Sequence, residues 1–310
     1  MNSFLSDIIR QYRNGSVLIR ILFINIGVFV AVKLVYLFCF LFSVPPDWSL
    51  SAVRWFSVPA DVHRLLWQPW SVFTYMFLHE GFWHIAFNML MLYWGGTIFL
   101  DFLGNKNLIL VYIAGGLFGS LFFILAYNLF PVFEPVLAHS LALGASASVL
   151  AVMIAVAAYV PDYTVFLLFV GPVRFKYVAA LMVLIDIVSI ESSNPGGHIA
   201  HLGGAFYGFL FAKMYRRGFN LSGYLDAVSA AVKKRFLKEK KIKKQQYTRK
   251  FVPDNDGQFS RPKRENRSAG ADPGDRQKKI DEILDKISQS GYTSLTKTEK
   301  DVLFKYSREE

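Results

Sequence analysis

Cysteine is almost absent. Cys39 is the only one among 310 residues, so no intrachain disulfide can form and thiol usage says nothing about compartment. Acids are scarce beside bases: 23 Asp or Glu against 34 Lys or Arg, a formal net charge of +11. The surplus is concentrated, with ten Lys or Arg and a single acid, Glu239, between Lys233 and Lys250. Such a run suits a solvated face and attraction to anionic lipid on a cytoplasmic leaflet; no nucleic-acid partner is expected. The chain has no convincing internal repeat. No small-residue cleavage site follows the first apolar run, which is too long for the core of a signal peptide, so it is expected to be retained as a span. The spacing of His-Glu-x-x-His zinc proteases is missing too. In His79-Glu80-Gly81-Phe82-Trp83-His84 the histidines are five apart and fall on different helix faces.

What is present in quantity is apolar sequence, 53% of the chain, in long runs. This argues for an all-α polytopic membrane protein. Six spans are expected, at roughly 18–43, 82–103, 107–129, 141–160, 175–192 and 197–215. They form one domain over 18–215, after a polar N-terminus (1–17). Lys33, near the middle of the first span, costs about 2.5–3.5 kcal/mol unless it snorkels or faces protein. The run Val165-Phe166-Leu167-Leu168-Phe169-Val170 is too short to cross and should lie in the interface or join the fifth span. Between about 45 and 81, Trp48, Trp55, Trp67 and Trp70 suit a loop resting in the outer leaflet.

Arg10, Arg13, Arg20, Lys106, Arg174, Lys176 and the basic tail outnumber Arg54 and Arg64, which puts both termini in the cytoplasm. A basic amphipathic segment and linker follows at 216–276. It contains a surface helix over 219–236 and a Pro- and Gly-rich stretch over 251–276. A small helical region at 277–310 has an apolar stripe (Ile280, Ile283, Leu284, Ile287) and a capping box of Thr296 with Glu299.

Spans two, four and six run in the same direction, from outside to inside. At 1.5 Å per residue, His84, Ser146 and His201 all fall within about the first 10 Å of depth on the outer side. Polar groups are expensive there if idle. Serine beside a possible base, with amide donors nearby, suits acyl transfer. Gly144 precedes the serine, and Gly204 with Gly208 forms a Gly-x-x-x-Gly pair that permits close helix contact. Asp186 should also lie towards the outer side, as a third member orienting His201, as a hydrogen-bonded structural residue, or lining a wet cavity. His198, one turn before His201, is expected to support packing or hydration. It could be a second metal ligand with His201, but no third is evident. His63 and His139 are loop residues without an assigned role.

The ordered set His84-x-x-x-Asn88, Gly144-x-Ser146 and His201-x-x-Gly204-x-x-x-Gly208 on alternate spans resembles the rhomboid family of intramembrane serine proteases, over roughly residues 50–215. Gly95-Gly96 and Gly115-Gly116 resemble family positions as well. The region 277–307 resembles an accessory domain of some bacterial rhomboids, especially of the Bacteroidetes type. The resemblance implies a Ser146–His201 dyad, with Ser146 as nucleophile and His201 as general base. The Ser146 N–H, His84 and Asn88 would stabilise the oxyanion, and His79 would be a structural hydrogen-bonding residue. It also implies small side chains before the scissile bond, and substrate arriving sideways past spans two and five. Ala147 stands where many members have glycine. Leu150 stands where many have an aromatic residue stacked on the base, so another residue must support His201.

The expectation is an endopeptidase of an inner membrane, acting on transmembrane proteins from a cavity open to the periplasm, without metal or organic cofactor. The competing readings are a catalytically inactive binder of transmembrane clients, a metal protease, and a channel or transporter.

Overall fold

The computed structural model describes residues 2–191 and 194–223, with 282–283, 285–287 and 295–296. The chain divides into two compact units, Met1–Lys241 and Ile242–Glu310. In the second, Ile283 and Leu295 are buried, and residues 282–283 and 285–287 are helical. The surface helix expected beyond residue 223, the linker over 251–276 and most of the 277–310 region lie outside the described residues.

The first unit opens with α1 (Asn2–Asn14) and α2 (Val17–Leu41). Ser16 caps α2 by accepting a bond from the Ile19 amide at 3.4 Å. The loop expected at 45–81 is largely short helices: α3 (Pro46–Phe56), α4 (Val62–Trp67) and α5 (Ser71–Thr74). Pro starts α3, and the Asp61 carboxylate caps α4 by accepting from the His63 amide at 2.8 Å. Trp48 and Trp67 are strongly exposed, while Trp55 and Trp70 pack ring to ring at 5.3 Å.

The two expected spans at 82–103 and 107–129 are one element, α6 (Phe82–Leu129), broken at Gly104. There φ is 75° and ψ 170°, a backbone setting that essentially only glycine adopts. The chain therefore reverses at a single residue instead of through a loop. Among the described residues, α2 and α6 are the helices long and apolar enough to cross a membrane.

α7 (Ser146–Tyr159) is apolar but has only 14 residues. It starts five residues later than expected, because Leu141–Ala142 (β2) instead pairs antiparallel with Val58–Pro59 (β1). That pairing ties the loop before α7 to the loop after α3. α8 (Phe175–Val188) and α9 (Pro195–Arg216) follow. The stretch 165–170 is not part of a fifth span: Thr164–Leu167 (β3) and Gly171–Arg174 (β4) form a hairpin. Its tip bears exposed Phe166, Leu168, Phe169 and Val170. At its base Asp162 meets Arg174 at 3.2 Å and Lys176 at 2.9 Å, and the Lys176 bond pulls the Asp162 carboxyl below its ordinary range.

α7 is the centre of the packing. Every residue from Ala147 to Ala157 is buried, against both arms of α6 and against α9. A helix apolar all round must be enclosed in this way or by lipid. Glycines set the distances. A methyl on Gly204 or Gly208 would collide with the carbonyl oxygens of Ala147 and Ala151 respectively. Gly115 meets Ala151, Gly116 meets Ser148 and Met76, Gly95 meets Met153, and Gly96 meets Leu18 of α2. α2 is further held by a buried polar knot, in which Asn25 bonds the Tyr112 hydroxyl at 3.0 Å and that hydroxyl approaches the Met76 carbonyl at 3.2 Å. Lys33 is not left unpartnered. Its Nζ donates to the Glu80 carbonyl at 2.9 Å and lies over the Phe29 and Tyr36 rings.

Substitution at the α7–α9 contact should be costly. Gly208→Val is expected to lower stability by about 1–3 kcal/mol, the usual penalty of overpacking. Gly27→Ala, where nothing lies within 4 Å, should be tolerated. Thermal unfolding of the two variants in detergent checks the contrast.

Candidate active site

Ser146 is the first residue of α7, not a residue five into a span. The first N–H groups of a helix have no intrahelical partner and carry the positive end of its dipole. The serine therefore presents a hydroxyl and a free amide at one point. The preceding loop is fixed by the Gly144 amide donating to the Tyr75 carbonyl at 3.0 Å. Gly144 has φ of 131°. A Cβ there would sit 3.0 Å from His84 Nε2 and 3.5 Å from Ser146 Oγ. The missing side chain is what leaves open the space between imidazole and hydroxyl.

His201 lies on the second turn of α9, which is capped by Asn194 accepting from the Gly197 amide at 3.0 Å. Its Nδ1 lies 2.7 Å from Asp186 Oδ1, and His198 Nδ1 lies 2.8 Å from the same oxygen. With Asp186 ionised, its carboxylate only accepts, and each Nδ1 would then carry the proton of its bond. That leaves Nε2 of His201 as the nitrogen with a free lone pair. Asp186 is buried on α8 with its side chain 8% exposed, while the two imidazoles are partly open.

The pieces line one cavity of about 420 Å³, walled by His84, Asn88, Ser146, Asp186 and His201, with Trp83, Leu150 and Met182 among its apolar side chains. Asn88 is buried and its amide donates to the His84 carbonyl at 2.9 Å. Ser146 and His201 share this wall, but among the described residues no hydrogen bond joins them. Catalytic bonds are often open in the absence of substrate.

His79 is buried with its ring edge against His84, centroids 5.1 Å apart. Burial foremost, then the neighbouring His84, lowers its pKa to about 4. The side chain that sequence reasoning left undecided is Asp186. The signal was an acid in an apolar helix on the same side as His201. The contact itself spans 15 residues and two helices. Asp186, His198 and His201 also form a possible ligand set, with one donor atom each and all three atoms within 4.8 Å of one another.

Comparison with known proteins bears on this geometry. Residues 66–218 match the family described as Rhomboid domain, and residues 272–309 match a family of unknown function, DUF6576. Similarity extends to RHOMBOID-like protein 12, mitochondrial, of Arabidopsis thaliana, 29% identical over 157 residues. That alignment covers 48% of this chain and 47% of the relative, so the chain spans about half of the relative's length. A rhomboid domain implies a membrane protein, in keeping with the long apolar helices α2 and α6.

Protonation of His79 should destabilise the fold. Unfolded, the residue takes up its proton near its ordinary value of 6.5; folded, only near 4. Between those values the unfolded chain binds more protons, so stability falls as pH drops through that window, by at most about 1.4 kcal/mol per pH unit. Unfolding midpoints from pH 7 to pH 4 should show this slope, and His79→Gln should flatten it.

Proposed function

We propose, since residues 66–218 make this chain a member of the rhomboid family, that it is an intramembrane serine endopeptidase acting on transmembrane segments of other proteins. The observation that carries the reading is the shared cavity: Ser146, His201, His84 and Asn88 face one space, and His201 is held there through Nδ1 by Asp186.

In this mechanism Ser146 Oγ attacks the scissile carbonyl while its proton passes to His201 Nε2. The bond from His201 Nδ1 to Asp186 keeps Nε2 free and stabilises the imidazolium that forms. Charge on the carbonyl oxygen is met by the unpaired Ser146 amide at the α7 N-terminus, with the His84 imidazole and the Asn88 amide alongside. His201 then gives its proton to the leaving amine. Water, activated by the same nitrogen, releases the acyl group from Ser146. Asp186 supplies the support that Leu150 cannot give. A regular substrate helix shields its carbonyls in its own hydrogen bonds, so cleavage requires local unwinding and favours small or helix-breaking residues.

The membrane arrangement in this reading is the six-span bundle with both termini cytoplasmic and the cavity open to the periplasmic side of a bacterial inner membrane. α7 and α8, at 14 residues each, are shorter than the roughly 20 needed to span by themselves. In the bundle α7 is enclosed by protein. The basic run at 233–250 attracts anionic lipid, and the region matching DUF6576 is an accessory unit.

A second reading, a rhomboid-like binder without catalysis, draws on the lack of a Ser146–His201 hydrogen bond. A fluorophosphonate probe separates the two. Labelling of the detergent-purified chain, lost in Ser146→Ala, is the expected result; an unlabelled but folded chain would favour the binder.

Asp186→Asn should lower kcat by about 10²–10⁴-fold with little change in KM, as expected for loss of the correct tautomer. Asn88→Ala should cost about 10²-fold, since other oxyanion donors remain. Turnover of a transmembrane reporter substrate measures both. Removal of residues 277–310 should leave that turnover intact.

A further inference from the structure

The carboxylate that orients His201 also completes a ligand set. We propose that Asp186, His198 and His201 bind one divalent transition metal, Zn²⁺ foremost, and that the loaded site silences the base. The inhibitory half rests on the protease reading above.

His198 and His201 are three apart on α9, so they share one helix face. Both direct Nδ1 at one oxygen of Asp186, at 2.8 and 2.7 Å. The three donor atoms lie within 4.8 Å of one another, a spread that one ion with bonds of about 2.0–2.2 Å can span. Two imidazoles and a carboxylate suit zinc, nickel or copper better than magnesium or calcium. Three protein ligands with a further position open to the cavity is the pattern of an accessible zinc site rather than a closed structural one. His201 and Asp186 line that cavity, the two imidazoles are 25% (His201) and 21% (His198) exposed, and the carboxylate is already desolvated.

Occupancy and catalysis exclude each other through one atom. When the metal takes the Nδ1 lone pair of His201, the ring proton shifts to Nε2 through solvent. Nε2 then has no lone pair to accept the Ser146 proton, and Asp186 no longer accepts from His201. No bond to substrate is needed for this block, and removal of the ion reverses it. The spacing of His79 and His84 supplies no such set. Asp186, invisible as a neighbour in sequence, converts two of the histidines into a chelate.

Two arms test this. Full-length Ser146→Ala protein in detergent is titrated with Co²⁺, whose visible d–d absorption reports coordination independently of activity. One Co²⁺ per chain, displaced by Zn²⁺, is expected, with affinity reduced by about tenfold or more in His198→Asn. In the serine-containing chain, Zn²⁺ should slow fluorophosphonate labelling and reporter cleavage, and EDTA should restore both. With each variant normalised to its own metal-free rate, His198→Asn should need about tenfold more Zn²⁺ for the same inhibition. Equal Co²⁺ affinity with and without His198, or zinc inhibition indifferent to that substitution, overturns the site. Loss of cleavage on chelation overturns its inhibitory role. If metal-free protein fails to label at Ser146, the protease reading falls, and the Co²⁺ spectrum still decides whether the metal site exists.

Discussion

The approach of α9 to α7 sets the scale of the whole site. At Gly204 and Gly208 the backbone of one helix rests against the carbonyl oxygens of Ala147 and Ala151 on the other. Ser146 is the residue immediately before the first of these contacts, and His201 is three residues before Gly204. Ser146 and His201 therefore sit one step above the tightest point between two helices. Their separation follows from the absence of side chains below them. The buried length of α7, the glycines of α6 that face it and the β1–β2 pairing that fixes its entrance loop all hold this contact in register.

Above the contact the problem is electrostatic. A hydroxyl, four imidazoles, an amide and a carboxylate are drawn into an apolar bundle, where an unsatisfied polar group costs more than in water. The solution is economical. Asp186 meets both His198 and His201 through one oxygen, Asn88 donates to its own helix at His84, and Ser146, at the start of α7, lines the cavity. His79 packs edge-on behind His84 and is held neutral by burial.

Much of this was legible in the sequence, and the limits are physical. The order and spacing of His84, Asn88, Ser146 and His201 place them on one side of the chain's apolar runs, and the structure brings these four to one cavity while Gly204 and Gly208 pack against α7. Hydropathy located the long apolar helices, but not α1 or the short helices α3, α4 and α5, which apolar content does not mark. It could not see Gly104 turning two spans into one broken helix, since that depends on a single dihedral. Nor could it foresee that residues 141–142 would pair with 58–59, or that 164–174 would form a hairpin. Strand pairs this short are set by their partners and not by a local period. The bond of Asp186 to His201 and the docking of Lys33 on the Glu80 carbonyl are contacts between distant segments. Such contacts leave no trace in the composition of either segment.

α8 is the most loosely seated of the helices around the cavity. Leu181, Leu184, Ile185, Ile187 and Val188 all face outward. Its buried positions are few: Phe175, edge-on to Trp94 at one end, Ala179 in the middle, and Asp186 near the other end. The anchor of the imidazole thus rides on the strut with the weakest grip on the rest of the scaffold. Anything that pries this strut aside, whether a peptide wedging in or a pull on the apolar hairpin tip joined to it, also slackens the hold on the ring. Admission to the cavity and the orientation of His201 are thereby yoked to one weakly held element.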